Sequence, residues 1–339
     1  MKVLVLGASG YIGKRLLSTL KSTSWASPVG ASRKREQDTS ANARWIQVDS
    51  RDVTALTAAL KGFDAVVNCV AGDARSISEG ARGLVRAALA AQCPRIIHLS
   101  TMSVYGSAEG IVHEDALLKP DIGWYGQAKC DAEIHVGDFV RQGGEAVVLR
   151  PGCVFGPGSH LWVERVARWL HARRLGDLGL AGDGWSNLVH INDVCQAVRA
   201  ALRIPVQPGK FRVFNLAAPD SPRWNDYFVD LAIEIKATPV RRKGPSQLQF
   251  DAWLAGPPLK VVQSVFKYLG NQRARLPEPI SPGLLRLWRQ HIFLDSTSAT
   301  KELGLGWTPY AFGLKSSAAW FCEKKGPCDQ VCDEAKCTH

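Results

Sequence analysis

No apolar run in the 339 residues approaches the ~20 that a helix needs to cross a bilayer. Met1-Lys2 leads straight into Val3-Leu4-Val5-Leu6, without the apolar stretch or the cleavage site of a secretory signal. Both absences make a cytoplasmic chain the expectation. Close C-x2-C pairs are missing as well, although the chain has nine cysteines. That rules out the common structural zinc patterns, and no metal site is expected. Cys69, Cys93, Cys130, Cys153 and Cys195 stand singly in apolar or helical stretches and read as small buried hydrophobes. Cys322, Cys328, Cys332 and Cys337 crowd a polar tail that ends at His339 and is expected to be disordered. Net charge is +11, yet no long basic run carries it. Arg33-Lys34-Arg35 and Arg241-Arg242-Lys243 read as solvated faces, which argues against a nucleic-acid partner. Leu259–Leu269, apolar with Lys260 and Lys267, is the one candidate for a membrane surface, and that contact is not the reading preferred.

What the chain does have is a strand, a glycine turn and a helix at its start. Val3–Leu6, four apolar residues bounded by glycine, read as a buried parallel strand. Gly7-Ala8-Ser9-Gly10-Tyr11-Ile12-Gly13 follows directly, and Ile12, Leu16, Leu17 and Leu20 then recur at helical spacing. In such a turn, backbone amides and a helix N-terminus favour a pyrophosphate. Strand patterns at Arg44–Asp49, Ala65–Val70, Arg95–Ser100 and Glu145–Arg150 alternate with helical ones at Val53–Leu60, Glu79–Gln92 and Tyr125–Arg141. Pro28–Ser32 supplies the second strand. The alternation predicts an α/β fold: a Rossmann-type doubly wound parallel sheet with a smaller, mostly helical C-terminal substrate region. The expected division is a dinucleotide-binding core over 1–158, a substrate-region insertion over 159–187 and returning core elements over 188–218. A substrate-binding region over 219–321 and the tail over 322–339 complete it.

After the second strand of such a sheet, an acidic residue would select NAD by bonding the ribose 2′-hydroxyl. Here the chain reads Ala31-Ser32-Arg33-Lys34-Arg35, with no carboxylate before Glu36. A guanidinium pairs with a dianionic phosphate, so Ser32 and Arg33 favour NADP(H) over NAD(H). Further along, Tyr125 and Lys129 stand at i and i+4 of a predicted helix and share a face. A phenol of pKa ~10 is a poor base at neutral pH unless a neighbouring cation favours its ionised form. Thr101, at the end of a predicted parallel strand, can donate a hydrogen bond to the same substrate oxygen.

Five blocks in this order resemble the extended short-chain dehydrogenase/reductases, the NAD(P)-dependent epimerase/dehydratase-like branch. They are the GxxGxxG turn, Ser100-Thr101…Val104-Tyr105-Gly106, Tyr125…Lys129, Leu149-Arg150-Pro151…Gly156-Pro157-Gly158 and Val189-His190…Asp193-Val194. Phe293-Leu294-Asp295…Trp307-Thr308-Pro309 is similar to the family's closing motif. The resemblance implies Thr101, Tyr125 and Lys129 as the catalytic triad, with Lys129 also holding the nicotinamide ribose. It implies cofactor contacts from Gly7, Ser9, Gly10, Tyr11, Ile12 and Gly13, then from Asp49, Ser50, Val70 and Ala71. Pro151 and Val154 would lie beside the nicotinamide, and Met102, Ser103, Trp124 and Trp185 beside the substrate. A homodimer formed through Glu79–Gln92 and Tyr125–Arg141 is implied in the same way.

Three departures narrow the reading. Met102 and Ser103 stand where dehydratases carry an Asp-Glu pair, which excludes elimination of water. Gly182–His190 has no arginine to grip a nucleotide diphosphate, which argues against such a substrate, although Arg165, Arg168, Arg173 and Arg174 could serve. Ile77–Ala81 has no asparagine for a proton relay. Tryptophans at 124, 162, 185 and 253 would suit a ring-bearing ligand, with packing the commoner role. The leading expectation is an NADP(H)-dependent oxidoreductase interconverting a ketone or aldehyde and an alcohol on a small or mid-sized non-nucleotide molecule. The alternatives are an epimerase of a sugar or nucleotide sugar with retained NAD(P), and a non-catalytic dinucleotide-binding protein.

Overall fold

The computed structural model describes residues 1–33, 44–206, 209–244, 247 and 280–325. The chain begins with β1 (Lys2–Leu6), α1 (Tyr11–Lys21), β2 (Ser27–Ser32), β3 (Trp45–Gln47) and α2 (Val53–Leu60). β4 (Ala65–Asn68), α3 (Ala74–Ala90), β5 (Arg95–Leu99), β6 (Gly110–Val112), α4 (Trp124–Arg141) and β7 (Glu145–Pro151) follow. Then come β8 (Cys153–Phe155), α5 (Arg165–His171), β9 (Leu188–His190), α6 (Ile191–Ala201), β10 (Phe211–Leu216) and α7 (Trp224–Glu234). The predicted alternation is present, with several boundaries displaced: β3 is shorter than the expected Arg44–Asp49, and β4 ends at Asn68 rather than Val70. α3 starts at Ala74 rather than Glu79 because the Asp73 side chain accepts the Ser76 N–H at 2.8 Å and caps the helix there.

The chain divides into two compact units. The first comprises Met1–Gly152, Val189–Pro219 and Leu294–Thr308. It is built on a seven-stranded sheet of order β10-β7-β5-β4-β1-β2-β3, parallel at every pairing. Strand order reverses at β1, whose neighbours are β2 and β4, and ligands bind such sheets outside the carboxyl ends of the strands at that switch. Leu6 pairs with Asn68 and Asn68 with His98, so the ends of β1, β4 and β5 lie level. The face under α3 and α4 is dry: Leu4, Val66, Ile96 and Val148 pack with Leu84, Val136 and Phe139. Each such fully buried side chain is worth ~1.5–3 kcal/mol. Asp193 accepts the Thr308 hydroxyl at 2.6 Å and its N–H at 3.0 Å, tying the closing segment to α6.

The second unit comprises the described residues of Cys153–Leu188, Asp220–Phe293 and Pro309–His339. Its centre is aromatic. Trp224, Trp288, Phe228 and Trp169 are fully buried, with Phe228 and Trp288 crossing at 5.2 Å. Trp162 joins this cluster at 5.3 Å from Trp224, so it packs the core. A π turn, His160–Glu164, leads into α5. A 3-10 turn, Gly179–Gly182, lies between α5 and β9. Cys322 lies within the helix Tyr310–Lys325, so the first residues of the expected tail are helical, and Lys324 there pairs with Glu164 at 2.9 Å. No helix among the described residues is long and apolar enough to cross a membrane.

Candidate functional site

A crevice opens at the switch point of the first unit. Gly7, Ser9 and Gly10 line it from the turn after β1, and Ser32 and Arg33 from the end of β2. Asp49 and Ser50 line it after β3, and Val70 and Ala71 after β4. Tyr11, Ile12 and Gly13 form the first turn of α1. A Cβ on Gly13 would lie 2.4 Å from the Gly7 carbonyl oxygen, so only glycine lets the helix start against the strand end. The donor set, the N-terminus of α1 over a glycine-rich cradle, suits a pyrophosphate. Leu6, Ala31, Val48, Cys69 and Ser76 also line the crevice and were missed from sequence. Leu6, Val48 and Cys69 end or directly follow a strand of the sheet, which is the signal that would have found them.

Asp49 is already engaged. The Arg51 guanidinium donates to its carboxylate at 2.7 and 3.1 Å and the Arg51 N–H at 3.0 Å. Those bonds, with the Arg33 charge adding, hold the carboxyl below the ordinary aspartate range. Arg51, one turn from the strand end, carries no motif and escaped the sequence reading. It neutralises the acid of the crevice, whose lining also carries the Arg33 guanidinium.

Beyond β5, Thr101 caps the 3-10 turn Met102–Tyr105, its Oγ1 accepting the Ser103 N–H at 3.2 Å. The first turn of α4 presses on that turn: a Cβ on Gly126 would lie 2.6 Å from the Ser103 carbonyl oxygen. Close approach brings Tyr125 to Thr101. Burial raises the Tyr125 phenol above its ordinary value, and the neighbouring Thr101 hydroxyl pulls it partly back. Lys129 is only 3% exposed. Its Nζ donates to the Leu99 carbonyl at 2.6 Å and the Val70 carbonyl at 3.4 Å. Sequence reasoning expected its charge to act on the phenol. Here burial and Thr101 set the phenol instead, because the ammonium is held between the ends of β4 and β5.

Burial lowers Lys129 to about 8, while Cys69 and Glu133 pull it upward. The sign of the linkage follows directly. Between about 8 and the ordinary 10.5 the unfolded chain binds a proton that the folded one does not, so this lysine makes stability rise with pH across that window. Denaturant unfolding of the wild type and of Lys129→Met should diverge by about 3 kcal/mol from pH 8 to 10.5, the wild type gaining. A constant difference would contradict the assignment.

Of the residues expected beside the substrate, Met102 is buried, Ser103 is half-buried, and Trp124 is exposed with its ring edge-on to Tyr125 at 5.8 Å. Pro151 ends β7 in the first unit. Val154 and Trp185 belong to the second unit, both half-buried. Trp185 has a partner that the sequence did not reveal. The Arg223 guanidinium lies 4.6 Å over its ring, donates to the Asp183 carbonyl and pairs with the Asp183 carboxylate at 3.3 Å. An arginine from the N-cap of α7 thus packs on the stretch Gly182–His190, which has none of its own. Lys34, Arg35, Trp253, Leu259–Leu269, Cys328, Cys332, Cys337 and His339 lie outside the described residues.

The sequence model of the NAD dependent epimerase/dehydratase family matches residues 3–217. Protein YeeZ of Escherichia coli (strain K12) is 32% identical over 151 residues, 44% of this chain and 49% of that protein. The chain therefore spans about half the length of that curated relative. N-acetyl-alpha-D-glucosaminyl-diphospho-ditrans,octacis-undecaprenol 4-epimerase of Escherichia coli O157:H7 is 24% identical over 215 residues, 59% of this chain and 63% of that protein. Among solved structures, UDP-glucuronic acid 4-epimerase from Bacillus cereus, in complex with UDP-glucuronic acid and NAD, superposes with a TM-score of 0.72 at 20% identity, covering 95% of this chain and 99% of that one. MoeE5 in complex with UDP-glucuronic acid and NAD superposes with a TM-score of 0.70 at 22% identity, covering 96% and 100%. Those likenesses establish the fold.

Proposed function

Because the chain belongs to the NAD dependent epimerase/dehydratase family, we propose that it inverts a secondary carbinol of a nucleotide sugar while keeping its dinucleotide bound. Two features outside the reacting centre support this over the oxidoreductase expected from sequence. One is the naming of the relatives, a diphospho-linked sugar 4-epimerase and epimerases solved with UDP-sugars. The other is Arg223, which gives the second unit the guanidinium whose absence had argued against a diphosphate.

The observation that carries the reading is the packing of the Tyr125-bearing first turn of α4 on the turn that Thr101 caps, with Lys129 one helical turn on. When bound, the nicotinamide supplies a hydride acceptor and donor for the carbinol carbon. Gly7, Ser9 and Gly10 would hold the pyrophosphate, and Ser32 and Arg33 the adenosine ribose. Tyr125 Oη takes the proton from the substrate hydroxyl and returns it to the same oxygen after inversion. Thr101 Oγ1 steadies that oxygen while negative charge builds on it. Lys129, charged below about pH 8, provides the cation one turn away. Incubating the purified protein with UDP-glucose, UDP-glucuronic acid and UDP-N-acetylglucosamine should yield the C4 epimer by NMR, with no net absorbance change at the reduced-cofactor band. Stoichiometric release of reduced cofactor would refute it.

A second reading, net carbonyl–alcohol redox with an NADP(H) that leaves each turnover, draws on Arg33. That residue lines the crevice where an NAD-selecting acid would stand. If Arg33 grips a 2′-phosphate, Arg33→Glu should weaken NADP+ binding by ~10–100-fold, with NAD+ little changed, in a titration of both dinucleotides. Equal effects on the two would remove this support.

A further inference from the structure

Behind the catalytic cluster, the first unit buries an ion pair that the mechanism above does not use. Glu133 and Arg150 are 5% and 4% exposed, joined at 2.7 Å from Nη2 to Oε2 and 3.1 Å from Nε to Oε1. Ser100, itself 4% exposed, donates to the same Oε1 at 2.5 Å. Arg150 Nη1 reaches on to the Tyr105 hydroxyl at 2.8 Å and the Glu114 carbonyl at 2.9 Å, and Tyr105 donates to Asn215 Oδ1 at 2.6 Å. A buried pair of this kind seldom outperforms well-packed apolar residues for stability, so its presence asks for another reason.

Its location supplies one. Ser100 immediately precedes Thr101, and Glu133 stands one helical turn beyond Lys129 and two beyond Tyr125. We infer that Glu133 is a positioning residue: locked by Arg150, its carboxylate fixes the Thr101-bearing end of β5 against the Tyr125–Lys129 face of α4 and supplies the negative charge that faces Lys129. The inference rests on the catalytic roles proposed above for those three residues. Geometry gives the first half, since one carboxylate oxygen accepts from both Ser100 and Arg150 and so bridges β5, α4 and β7. Electrostatics supports the second. The groups acting on Lys129 are Cys69 at the end of β4, His98 on β5 and Glu133 on its own helix. Cys69 is pushed up to about 12 by burial and His98 far down, so both are neutral at physiological pH. Of these three, Glu133 is the one that brings negative charge.

Two variants test this without stranding a buried charge. Ser100→Ala keeps the ion pair and cuts only the link to the strand end; the paired change Glu133→Gln with Arg150→Gln removes both charges together. Ser100→Ala should lower kcat by ~10–100-fold, with KM and dinucleotide affinity within about two-fold, as expected when reacting groups are misplaced by a fraction of an ångström. In full-length protein with ¹³Cε-labelled lysine, the Lys129 resonance, assigned through Lys129→Arg, should titrate at lower pH in the paired variant than in the wild type. A purely structural pair would alter the melting temperature and leave that midpoint in place. Unchanged kcat in Ser100→Ala, or an unmoved midpoint, overturns the proposal. If instead the wild type turns over nothing and Tyr125→Phe behaves like it, the catalytic reading fails, and the lysine titration still decides whether Glu133 sets the field at Lys129.

Discussion

Tyr125→Phe is expected to lower kcat by ~10²–10⁴-fold while leaving dinucleotide binding and the melting temperature close to wild type. The ring itself stays, partly buried against Ile77, Ala81, Ala128 and Ala132, so the packing of α3 on α4 survives. What disappears is the oxygen proposed to exchange a proton with substrate. The residual environment cannot substitute. Thr101 can donate a hydrogen bond but is far too weak an acid or base, and the Lys129 ammonium is engaged by the Leu99 and Val70 carbonyls. The wild-type pH profile should carry the same signature. Burial raises the phenol above its ordinary value, so its ionised fraction at neutrality is small, and the rate of the alcohol-oxidising half-reaction should climb with rising pH. Single-turnover measurements across pH 6 to 10 would show that climb in the wild type and a flat, low line in Tyr125→Phe. A variant retaining wild-type turnover would instead favour a non-catalytic, dinucleotide-binding role.

Arg150→Met should destabilise the first unit by ~3–5 kcal/mol, because it leaves the Glu133 carboxylate buried with no counter-charge. Both side chains are nearly sealed, at 5% and 4% exposure, so water cannot replace the lost guanidinium. The Tyr105 hydroxyl and the Glu114 carbonyl would lose their Arg150 donor in the same step. Arg75 with Glu79, an exposed i,i+4 pair on α3, is the natural control, and Arg75→Met should leave the denaturation midpoint where it was. Urea unfolding followed by tryptophan fluorescence and by far-UV circular dichroism would read both. Equal midpoints for Arg150→Met and its control would show that the buried pair adds nothing to the fold.

Much of this protein was legible in one dimension. The glycine turn after Val3–Leu6, the parallel strands, the helix carrying Tyr125 and Lys129, and the family all rest on patterns contained in a few neighbouring residues. Such patterns survive without knowledge of the fold because a period of two or 3.6 and a glycine at a crowded turn are set by local backbone geometry. Contacts between distant segments are of another kind. Arg223 packs over Trp185 and pairs with Asp183, and nothing near Gly182–His190 announced it. Arg51 neutralising Asp49, the strand-end carbonyls holding Lys129, and the Ser100–Glu133–Arg150 bridge are likewise products of packing. A charged side chain reads the same in sequence whether it is solvated or sealed. Which of the two it becomes depends on what the folded chain lays against it, and that is where the electrostatics of the site is decided.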